Sequence, residues 1–135
     1  MRKIACIVLF VAVTTVFAWK KEAHFISLPL IEGSGLYSSI MIVRESDAVS
    51  TKVPAYSTMT LLGINAALGG FTVLGPQEYY PTLRMIHRFL GFGLTAVGLW
   101  MNIAAANDKA VKPLERNVSY VYTGLTTVPI ILFSF

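Results

Sequence analysis

Four long apolar runs, each parted from the next by a short charged connector, constrain this chain more than any other feature. They cover residues 24–43, 56–75, 84–106 and 118–135, and RESDAVSTKVP, GPQEYYPTLR and NDKAVKPLERN lie between them. A run of about 20 apolar residues has the length of a helix that crosses a bilayer. Connectors this short join antiparallel neighbours, so the expected fold is an all-α integral membrane protein, an up-down four-helix transmembrane bundle. The runs are continuous rather than alternating, which excludes a β-barrel. Composition agrees: 55% of residues are hydrophobic, 13% are charged and the mean hydropathy is +0.64. That is too apolar for an ordinary soluble domain. The eleven Lys and Arg are scattered and form no stripe for nucleic acid. The single cysteine, Cys6, rules out an intramolecular disulfide and a cysteine-only metal site.

Ahead of the four runs stands IACIVLFVAVTTVFA, residues 4–18, preceded by Arg2 and Lys3. It is short for a span, and a basic start, an apolar middle and a small terminal residue fit a secretory signal peptide cut before Trp19. A retained N-terminal transmembrane helix is the other reading. The expected domain is residues 19–135, made of hairpins at about 24–75 and 84–135. With the N-terminus inside, Arg2, Lys3, Arg44, Lys52, Lys109, Lys112 and Arg116 are cytoplasmic, against Lys20, Lys21, Arg84 and Arg88 outside. This satisfies the positive-inside rule and points to a bacterial inner membrane with the C-terminus on the periplasmic face. Trp19, Tyr79 and Tyr80 then sit at the outer interface, on the side of His24 and His87.

The two halves echo one another. His24 is followed eleven residues on by Gly35-Leu36-Tyr37, and His87 eleven residues on by Gly98-Leu99-Trp100. Asp47 precedes Gly63 by sixteen residues, as Asp108 precedes Gly124. This pattern reads as two copies of a helical hairpin, both pointing the same way. It pairs His24 with His87 at equal depth.

Eleven residues are nearly three helical turns, so each histidine shares a face with its glycine. On the third run that face is His87, Gly91, Leu94, Gly98. One reading is a haem pocket, in which His24 and His87 ligate the iron while Gly35, Gly91 and Gly98 leave room for the macrocycle. The other is close helix packing at small residues, with no ligand.

The run His87-Arg88-Phe89-Leu90-Gly91-Phe92 resembles the His-Arg-x-Leu-Gly signature at the start of haem-ligating helices in b-type membrane cytochromes, cytochrome b561-like proteins among them. The resemblance covers about six residues and the general topology. It implies a four-helix core, haem b and electron transfer. Those cytochromes carry two haems on four histidines, whereas this chain has two histidines in all. A histidine pair here holds one haem at most.

Glu32 lies inside SLPLIEGSGLYSSIMIV, where a charge is costly and marks a functional candidate by default. It reads either as a proton-carrying carboxylate near the bundle axis or as a packing group bonded to a neighbouring helix, with Asn65 and Asn102 as candidate partners. Pro29 and Pro129 are expected to interrupt their helices. No phosphate loop, Cys-His metal spacing or paired acidic motif suggests catalysis. Three functions follow: a one-haem electron-transfer protein serving a periplasmic redox partner; a non-catalytic subunit or scaffold of a larger membrane complex; and a small-solute carrier using Glu32.

Overall fold

The computed structural model describes residues 21–133, with side chains for residues 29–127 except Val73. The expected signal peptide or helix at residues 1–18 lies outside the described residues. Four helices follow one another: α1 (Lys21–Glu45), α2 (Val49–Leu74), α3 (Tyr80–Asn107) and α4 (Pro113–Phe133). A short 3-10 turn, Gln77–Tyr79, leads into α3, and no strand occurs among the described residues. Each helix packs on its chain neighbours and α4 closes the ring against α1. The fold is the expected four-helix bundle. Its connections are short, so adjacent helices run antiparallel, and α1 and α3 form a parallel diagonal pair.

The helices outreach the apolar runs at several ends, for a physical reason. Pro81 and Pro113 start helices instead of marking loops, because proline at a first helical position loses no hydrogen bond. On α2, Thr51, Pro54 and Ala55 are buried against the bundle, so the helix begins seven residues before residue 56. The expected interruptions at Pro29 and Pro129 do not appear: α1 and α4 run through them.

The interior is more polar than the exterior. Buried residues include eleven polar or charged ones, such as Ser38, Ser39, Thr58, Asn65, Asn102, Ser119 and Thr123, and nine hydrophobic ones. Large apolar side chains point outward instead, with Leu74 88%, Phe89 68% and Ile103 63% exposed. Several buried hydroxyls satisfy themselves within their own helices. Ser38 donates to the Gly35 carbonyl, Thr58 to Pro54, Ser119 to Arg116 and Thr126 to Thr123, at 2.8–3.2 Å. Such back-bonding lets a short polar side chain occupy a helix interface without a partner across it. Among the described residues only the stretch Gln77–Asn107 is long and apolar enough by itself to cross a membrane. The hydroxyls and charges of the other three helices lower their apolarity.

Burial matches between the halves. Gly35 and Gly98, Ser38 and Met101, Ser39 and Asn102, and Ile42 and Ala105 are buried at like positions of α1 and α3. Pro54 and Glu115, Thr58 and Ser119, Leu62 and Thr123, and Asn65 and Thr126 do the same on α2 and α4.

One layer sets the register. A Cβ on Gly35 would lie 2.6 Å from Cε2 of Tyr122 and 2.9 Å from Leu62, and a Cβ on Gly98 would lie 3.1 Å from Cε1 of the same ring. Tyr122 thus stands between α1 and α3, with one ring edge on each glycine, and is itself 0% exposed.

The end of the bundle that carries the α1–α2 and α3–α4 connections is tied by charge. The Ser46 hydroxyl donates to Asp108, which also accepts from the Ala110 N–H at 3.0 Å. Glu45 accepts from the Lys112 N–H at 2.8 Å and pairs with the Lys112 ammonium at 2.7 Å. Lys112 accordingly holds the Glu45 carboxyl below its usual range, and the Ser46 hydroxyl does the same for Asp108, helped by the Ala110 N–H. Glu45 raises the Lys112 pKa in return.

Two expectations follow from this packing. Gly35→Ala and Gly98→Ala push a methyl into the Tyr122 ring and are expected to destabilise by about 1–3 kcal/mol, as overpacking does. Gly63→Ala meets nothing within 4 Å and serves as the neutral control in unfolding followed by circular dichroism. Carboxyls with lowered pKa stabilise the fold above their unfolded values, about 4, and lose that contribution as pH falls through the folded values. Stability is therefore expected to fall below about pH 4, and an Asp108→Asn, Glu45→Gln variant to show a flatter acid limb in the same measurement.

Candidate functional site

A small polar layer lies one helical turn from the Tyr122 layer, on the side away from the charged tie. Glu32 lies three residues from Gly35 on α1, Asn65 three from Leu62 on α2, Thr95 three from Gly98 on α3 and Thr126 three from Thr123 on α4. Each step is about 4.5 Å along its helix, so all four share a level. The Asn65 side chain lies beside the Glu32 carboxyl, and Tyr122 lies within electrostatic reach of it. Sequence reasoning named Asn65 and Asn102 as partner candidates for Glu32, and the structure selects Asn65.

Asn102 belongs two turns away, near Thr123. Its amide donates to the Thr123 hydroxyl at 2.9 Å and ties α3 to α4. Ser39 reaches across the bundle from α1 to the Met101 sulfur on α3, at 3.4 Å. Four buried oxygens at or beside the Glu32 level have no hydrogen-bond partner: Oε1 of Glu32, Oδ1 of Asn65, Oγ1 of Thr95 and the Tyr122 hydroxyl. Each comes from a different helix. Asn65 is only 9% exposed.

The expected haem residues are placed as follows. His87 stands on α3, half-buried with Nδ1 withdrawn from solvent. His24 lies near the start of α1, and its side chain lies outside the described residues. Because Gly35 and Gly98 touch one ring, the backbones eleven residues before them share a level, about 16 Å along the axis. The room made by Gly35 and Gly98, expected beside a macrocycle, is filled by Tyr122, Leu62 and Thr123. Gly91, half-buried one turn from His87, lies outside that packed layer. On α3 no residue before Leu94 is buried, and on α2 no described side chain after Asn65 is buried. The histidine end of these helices is therefore less closely packed than the rest. The described residues hold no group of three or more His, Cys, Asp or Glu that could grip a metal ion by themselves.

Sequence reasoning missed Tyr122, Thr95 and Thr123. The available signal was VYTGLTT, where Tyr122, Thr123 and Thr126 interrupt an apolar run on neighbouring helical positions. Comparison with protein-family models, curated proteins and solved structures found no match for the chain.

The Asn102–Thr123 bond can be isolated. A double-mutant cycle with Asn102→Ala and Thr123→Val is expected to give a coupling of about 0.5–1.5 kcal/mol in unfolding equilibria. Additive single mutants would show that the bond contributes nothing.

Proposed function

We propose that this chain is a small polytopic membrane protein that holds one haem b between His24 and His87 and carries electrons to a periplasmic partner. The membrane placement draws on the inverted polarity of the bundle, in which serine and threonine pack inside while leucine, isoleucine and phenylalanine face out. Water would penalise that exterior, and lipid does not. The basic residues of the charged tie then face the cytoplasm, and the histidine end faces outward.

One observation carries the haem reading: Tyr122 touches Gly35 and Gly98 alike and so brings His24 and His87 to one level on the diagonal helices. In this arrangement the two histidines would hold the haem, and Gly91 would leave room for it. Haem b supplies reversible one-electron transfer at a potential set by its axial ligands and surroundings. The repeated-hairpin reading, supported by the matching burial of the two halves, makes the histidines equivalent partners.

A second reading, a non-catalytic subunit or scaffold, draws on α2. Gly63, Ala66, Ala67 and Gly70 are exposed and fall at three- and four-residue spacing on one face, the pattern that lets another membrane helix approach closely.

An absorption spectrum of the purified protein separates the two. The haem reading expects a red preparation whose Soret band is lost in His24→Ala and in His87→Ala, with folding retained by circular dichroism. A colourless preparation that gives no pyridine haemochrome and co-purifies with a stoichiometric membrane partner establishes the subunit reading instead.

A further inference from the structure

We propose that the Glu32 layer is a binding site for a monovalent alkali cation, which it takes up in competition with a proton. The site is separate from the histidine pair and does not depend on haem.

Four observations carry it. First, the buried oxygens without partners among the described residues include Oε1 of Glu32, Oδ1 of Asn65, Oγ1 of Thr95 and the Tyr122 hydroxyl, one from each helix. Second, three of the four, on Glu32, Asn65 and Thr95, come from residues of one level, and Asn65 already touches Glu32. Third, Tyr122 presents one ring edge to Gly35 and the other to Gly98. Its hydroxyl therefore leaves between α1 and α3 toward α2, where Leu62 and Asn65 stand. Fourth, charge must balance. Among the described residues Tyr122 is the one titratable group placed against Glu32, since Asn65 of α2 and Thr95 of α3 carry no charge.

Glu32 is half-buried with Oε1 withdrawn from solvent, and a carboxylate so placed without a counter-charge is costly. Water alone could satisfy the oxygens but would leave that charge uncompensated. A single positive charge satisfies both requirements. It is supplied either by a proton on Glu32 or by a hard cation bound to a carboxylate, an amide carbonyl and two hydroxyls, all oxygen ligands. One carboxylate suits a monovalent ion better than a divalent one.

Dicyclohexylcarbodiimide, which reacts with protonated carboxyls in apolar surroundings, provides the test. The full-length protein in detergent is treated in choline chloride, sodium chloride or potassium chloride across a pH series, and labelling of Glu32 is read by mass spectrometry. Labelling is expected in choline, with severalfold suppression by sodium or potassium. The cation concentration needed should fall as pH rises, because proton and cation compete. The arm that suppresses at the lower concentration identifies the preferred ion. Tyr122→Phe, which keeps the ring and removes only a ligand oxygen, is expected to raise the concentration needed severalfold. Asn102→Ala, two turns away, is expected to leave it unchanged. Circular dichroism confirms that each variant is folded. Absence of labelling at Glu32, or labelling that neither cation suppresses, overturns the proposal.

Discussion

The Tyr122 ring, held edge-on between Gly35 and Gly98, is the contact on which the rest of the bundle depends. Two glycines on diagonal helices leave a gap, and one aromatic side chain from α4 fills it. That fixes α1 against α3 in register, because a slip by one residue would set a side chain against the ring. The level of every other layer follows from it: Glu32, Asn65, Thr95 and Thr126 on one side, Ser39, Met101 and Asn102 on the other. At the far end, the Ser46–Asp108 and Glu45–Lys112 contacts hold the same alignment through polar groups.

Such an interior is held by close approach more than by the removal of apolar surface from water. Serine and threonine hydroxyls return to their own helix carbonyls and leave the interface narrow. Only a few groups, Asn102 with Thr123 and Ser39 with Met101 among them, are spent on bonds between helices. The proposed membrane placement makes sense of this arrangement. In lipid an apolar exterior is unpenalised, and tight contact at small residues drives association. In the proposed function the packed half holds the fold and the looser histidine half holds the haem.

Much of the architecture was legible in the sequence, because four apolar runs with short connectors permit few alternatives. Glu32 stood out because a carboxylate inside an apolar run is costly, and its partner Asn65 was among the two residues named for it. The glycines were also visible. What fills the space beside them was not, since Tyr122 reaches them from a helix far along the chain, and no local pattern encodes that contact. The helix starts were missed for another reason. Pro81 and Pro113 look like loop residues in sequence, yet proline costs nothing in a first turn. Ser46 gave no signal, and Asp108 stood out only as a repeat position, because their contact forms only when the fold brings two connections together.

The account turns on Tyr122 setting the relative level of α1 and α3, and so of His24 and His87. Pulsed electron resonance between spin labels on a His24→Cys, His87→Cys pair, in a Cys6→Ser background, measures that most directly. A single narrow distance distribution is expected, and it should shift or broaden when Tyr122→Ala is added. A broad distribution with Tyr122 intact, or one that removal of the ring leaves unchanged, would contradict the account.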